Sequence, residues 1–105
     1  MPVRPLPKRP PSPEAPTLKN RLVREWRNKK STAAQPIILQ ESGESSQPIR
    51  VYVIWDDWKE VSGIERSEII MDAFEAVHGK RKALNVTVAM GLTSAEADRM
   101  GIHYQ

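Results

Sequence analysis

Between residues 17 and 29 the apolar positions recur every four residues. Leu18, Leu22 and Trp26 form the stripe with Val23 beside it, and Lys19, Arg21, Arg24 and Arg27 take the other directions. That rhythm predicts an amphipathic helix over about 17–29, with Thr17 as its N-cap behind Pro16. The pattern then changes to short β-prone runs. Pro36–Glu41 is one, Gly43–Pro48 has a turn composition, and Ile49–Trp55 alternates β-branched and aromatic residues as a strand does. A loop this short predicts an antiparallel hairpin. Ser62 and Glu65 have the spacing of a capping box; behind them Arg66, Ile70, Ala73, Phe74 and Val77 share one face, and Gly79 is a stop. The main helix is therefore expected over 63–78. Asn85–Met90 reads as a third strand, and Thr93–Glu96 repeats the capping signal for a short helix that ends at Gly101.

The order α-β-β-α-β-α is that of an α+β fold. Its economical form is a three-stranded mixed sheet with helices on one face and a crossover through the main helix. Alternation along the second strand sends Tyr52 and Ile54 to one sheet face and Val51, Val53 and Trp55 to the other. Trp55 reads as core. Trp58 is kept both as a corner-locking core residue and as a binding residue, because a sheet covered on one side leaves aromatics available on the other.

Composition separates the first residues from the rest. Seven of the nine prolines lie in residues 1–16, where neither helix nor sheet can propagate, so this segment is expected to be a disordered, basic, Pro-rich arm. Residues 17–101 form the expected domain and 102–105 a tail. The net charge of +3 is uneven, with +7 in residues 1–30 and −4 in residues 31–105. Any attraction to phosphate must therefore come from the arm and the first helix. The 105 residues include no cysteine, which removes disulfides, thiolate metal sites and thiol nucleophiles together. No apolar run is long enough to span a bilayer and no signal-peptide core follows Met1, so a soluble, cytoplasmic protein without membrane association is expected.

The stretch Val51–Trp58, then Ser62 and Arg66–Ile70, resembles the core of BolA-like proteins. There a strand ends in Ser-Asp and a helix begins around Arg-His-Arg. Leu84–Glu96 resembles that family's last strand and the start of its final helix. The resemblance covers residues 17–101 in element order and is specific in sequence over 51–74 and 84–97. It implies the type II KH-like arrangement. It also brings the family's histidine-dependent iron–sulfur ligation, but the corresponding positions here are Ser67 and Asn85, so no cluster is expected. The Gly-x-x-Gly loop of RNA-binding KH domains is absent, and Gly79–Lys82 is a basic turn.

No catalytic constellation emerges. Asp56, Asp57 and Glu60 form an acidic group without a histidine, nucleophile or phosphate loop nearby in sequence. Two separated histidines, His78 and His103, do not make a metal site. The expected protein is non-enzymatic and needs no cofactor. Its candidate binding residues are Arg21, Arg24, Arg27, Lys29 and Lys30 from the first helix, Trp58, and the basic turn Lys80, Arg81 and Lys82. Two roles follow from them. One is association with RNA or DNA through the basic residues; the other is an adaptor or small homo-oligomer that binds a protein partner through the exposed sheet face.

Overall fold

A computed structural model describes residues 15–27, 36–42 and 48–102. The expected arm therefore lies almost entirely outside the described residues, as do Lys29, Lys30 and His103. Helix α1 runs Ala15–Arg27, strand β1 Ile37–Ser42 and strand β2 Ile49–Ile54. A 3₁₀ turn, Asp56–Glu60, leads into helix α2, Gly63–His78. A single helical turn α3, Lys80–Ala83, then precedes strand β3, Val86–Leu92, and helix α4, Ser94–Met100.

The fold is α+β, and the principal elements follow the order α-β-β-α-β-α. The three strands lie in the order β1-β2-β3, with β1 antiparallel and β3 parallel to the central β2. Leu18, Leu22, Ile49, Val51, Val53, Ile70, Ala73 and Phe74 form one buried cluster, so α1 and α2 share the face to which Val51 and Val53 point. On the opposite face Ile54 and Leu92 are buried with Ala97 of α4. The last helix thus covers the end of the second face, because Leu92 emerges there one residue after Gly91.

β1 and β2 each differ from the sequence reading by a residue, and three further differences bear on the site. α1 begins at Ala15, so Thr17 lies inside the helix instead of capping it, and Pro16 occupies the first turn, where its missing N–H costs no helical bond. The segment Lys80–Ala83 is a helical turn anchored by buried Ala83, where a plain turn was expected. β3 continues through Gly91 and Leu92, whose partners in β2 are Val53 and Ile54. Glycine normally weakens a strand, but here its lack of a side chain allows Trp58 and Arg66 to approach. Of the two expected capping boxes, Thr93 and Glu96 form the reciprocal one, and at the start of α2 Ser62 Oγ accepts from the Glu65 N–H. Among the described residues no helix is long and apolar enough to cross a membrane.

Candidate functional site

The inward stripe of α1 fixes where its charges go. With Leu18 and Leu22 buried against α2 and the sheet, Arg21, Arg24 and Arg27 are exposed on the outer side. Arg24 and Arg27 also sit in the last turn, where cations complement the helix dipole. Arg21 and Arg24 line a cleft of about 410 Å³ together with Thr17, Leu18, Trp55 and Asp57. The lining of the cleft therefore combines two arginines, one carboxylate and the apolar Leu18 and Trp55.

The far end of α1 is held to the end of α2 by an aromatic group. Trp26 meets Phe74 edge-on at 5.6 Å between ring centroids and His78 edge-on at 6.1 Å, while Phe74 and His78 lie 4.5 Å apart. Trp26 also donates through Nε1 to Gln40 Oε1 of β1 at 3.2 Å. His78 is followed at once by Gly79, at φ 91°, and by the exposed Lys80, Arg81 and Lys82. The last turn of α1, with Arg27, and the basic turn α3 thus lie at the same end of the helical layer. His78 Nε2 is buried without a hydrogen-bond partner. Burial, and secondly the charge of Lys82, lower its pKa below 6.5.

The adjacent outer surface of α2 has the opposite sign: Glu68, Asp72 and Glu75 are exposed along it. The helical layer is therefore a basic α1 beside an acidic α2, with positive charge again at α3.

Trp58 requires a correction as a binding residue. Its side chain is fully buried, its ring meets Trp55 edge-on at 5.2 Å, and its Nε1 donates to Val53 O at 3.1 Å. Of its two readings the core one holds: Trp58 locks the corner after β2. Its buried neighbour Arg66 is the principal polar tie of the domain. Arg66 Nε donates to Val61 O at 2.8 Å, Nη2 to Trp58 O at 2.7 Å, and Nη1 to Gly91 O at 3.2 Å and Glu96 Oε1 at 2.8 Å. A backbone N–H from Thr93 and the Arg66 guanidinium hold the Glu96 carboxyl at about 2, below its ordinary 4.5.

Ser67 Oγ donates to Ala89 O at 2.6 Å, and Asn85 is exposed. Among the described residues no group of three histidine or carboxylate side chains converges. The acidic group is divided by the fold. Asp56 Oδ1 accepts from the Ser94 N–H at 3.0 Å and from its hydroxyl, which ties the 3₁₀ turn to the start of α4. Asp57 lines the cleft and Glu60 is exposed. The sheet face opposite α1 and α2 keeps Ile37, Leu39, Tyr52, Val88 and Met90 half-buried.

The spacing of α1 and the run Lys80–Lys82 pointed to most of the basic surface. Spacing does not show that Thr17 and Asp57 line one cleft, nor that Trp26 meets His78 edge-on. Comparison with protein-family models, with curated proteins and with solved structures gives no match to this chain.

Proposed function

We propose that this chain is a non-enzymatic nucleic-acid-associated protein, in which a small KH-like core of the BolA kind carries a basic helical surface to the phosphate backbone. The observation that carries this reading is the contact of Trp26 with His78, which brings the last turn of α1 to the end of α2 and so to Lys80–Lys82. Cations far apart in sequence thereby share one end of the domain. The arginine-lined cleft continues the surface along α1, and Leu18 and Trp55 in its lining suit an unstacked base or a sugar between phosphates. The acidic outer side of α2 repels the backbone and restricts it to the α1 side.

The test is fluorescence anisotropy with single-stranded RNA and DNA of mixed sequence, from about 50 to about 200 mM salt. Affinity falls steeply and log-linearly with salt if the reading is correct, and Arg24→Glu and Arg81→Glu each weaken it. Salt-independent binding, or binding unchanged in both variants, rejects it. A second reading, docking of a protein on the open sheet face, is favoured by the half-buried row Leu39, Tyr52 and Met90. Tyr52→Glu weakens that interaction and leaves nucleic-acid binding unchanged.

A further inference from the structure

The two edges of the sheet are unequal, and the inequality follows from which way the peptide groups point. Ile49 N–H donates to Asn85 O and Trp55 N–H donates to Leu92 O, so the odd-numbered residues of β2 turn their peptide groups toward β3. Alternation turns Arg50, Tyr52 and Ile54 toward β1, where they pair with Glu41, Leu39 and Ile37. On β3, Leu92 faces β2, and Ala89 and Gly91 turn their carbonyls outward. Both of those outward carbonyls are occupied. Ser67 Oγ donates to Ala89 O at 2.6 Å, and Arg66 Nη1 donates to Gly91 O at 3.2 Å. Side chains of α2 therefore close the β3 edge against an added strand.

The β1 edge has no such closure among the described residues. By the same alternation Ile38, Gln40 and Ser42 present their N–H and C=O groups away from β2, and β1 is the terminal strand of the sheet. Residues 37–42 contain neither lysine nor proline, the usual guards of an exposed edge. We propose that this edge pairs with the same edge of a second copy, β1 antiparallel to β1, about a two-fold axis through Gln40. In this register Ile38 faces Ser42 of the second copy and Gln40 faces Gln40, all three with outward peptide groups, so both strands fill their free ladder. Glu41, the one charge on the strand, lies opposite Leu39 of the second copy, and the two carboxylates are kept apart. The row Met90, Tyr52 and Leu39 of one copy then runs on into Glu41 and Arg50 of the second. Because the β3 edge is closed, pairing stops at two chains and does not extend into a filament.

The experiment is sedimentation equilibrium of the full chain over a range of concentrations, with circular dichroism of each variant as the control for folding. The native sequence gives the mass of two chains. Gln40→Pro removes the central outward N–H without touching the bonds to β2, and gives a folded monomer. Gln40→Ala loses only the bond from Trp26 and remains a dimer. Should the proline variant not fold, charge placement decides: Leu39→Glu sets carboxylates opposite Glu41 and dissociates the pair, and the added change Glu41→Lys restores it. A monomeric native chain overturns the proposal, as does a dimer that survives both Gln40→Pro and Leu39→Glu. Neither result depends on whether nucleic acid binds.

Discussion

The indole of Trp58 lies so close to Gly91 that a Cβ at residue 91 would stand 2.9 Å from its Cε2 and Nε1. The same atom would be 2.9 Å from Arg66 Cβ. Contacts that short do not occur, and neither neighbour is free to retreat, since Trp58 is fully buried and held on Val53 O. Gly91→Ala is therefore expected to destabilise the domain by about 1–3 kcal/mol through overpacking. Urea denaturation checks this, with Gly63→Ala, where nothing lies within 4 Å of the added Cβ, as the comparison that leaves the contacts intact.

Arg66 has a different kind of necessity. It donates to the carbonyls of Trp58, Val61 and Gly91 and pairs with Glu96, so its removal takes this donor from Val61 O and Gly91 O, while Trp58 O keeps the Val61 N–H and Glu96 keeps the Thr93 N–H. Arg66→Met is expected to cost about 2–3 kcal/mol, mostly from buried carbonyls left without this donor, since the partly exposed Glu96 carboxylate adds little. Arg66→Lys does not restore it, because a single ammonium cannot reach the directions of a guanidinium fork. Thermal denaturation of both variants against the native chain measures the difference.

How much of this was visible beforehand depends on the range of the interaction. The i, i+4 stripe of α1, the two caps at Ser62 and Thr93 and the alternation of β2 are local, and each was readable from residue spacing. The spacing in α2 even put Arg66 on the buried face. It did not show that Arg66 would meet Glu96, thirty residues away, or that Gly91 would leave room for both Arg66 and Trp58. Spacing leaves Trp58 between core and binding residue for the same reason: its burial depends on a glycine in another strand. Of the candidate site, the charges were legible one by one, whereas their convergence relies on Trp26 and His78 meeting across two helices.

Two titrating groups divide the acid behaviour of the fold into separate windows. His78 has a folded pKa below 6.5, so above that value both folded and unfolded states are neutral and pH has no effect through it. As pH falls below 6.5 the unfolded chain takes up the proton first, and stability declines through the folded pKa. Glu96 acts lower. Its contribution is fully present above 4.5 and is lost as pH falls from there to about 2. His78→Phe is expected to flatten the first decline and leave the second, and Glu96→Gln the reverse, measured as urea midpoints across pH.

The charge arrangement predicts how a bound strand would be routed. If phosphates follow α1 and turn onto α3, Arg24 and Arg81 contribute to one electrostatic surface although they belong to different helices. Each of Arg24→Ala and Arg81→Ala then lowers the magnitude of the slope of log affinity against log salt by about 0.7 on single-stranded nucleic acid. Asp72→Ala, on the acidic side of α2, removes no phosphate contact and is expected to leave the slope unchanged while affinity rises. A third result would redirect the path. If Arg81→Ala has no effect and Arg24→Ala does, the strand runs along the cleft of Thr17, Trp55 and Asp57 and leaves the domain before reaching His78. Comparing the double variant with the two singles separates the routes, because contacts on one continuous strand subtract from the same slope.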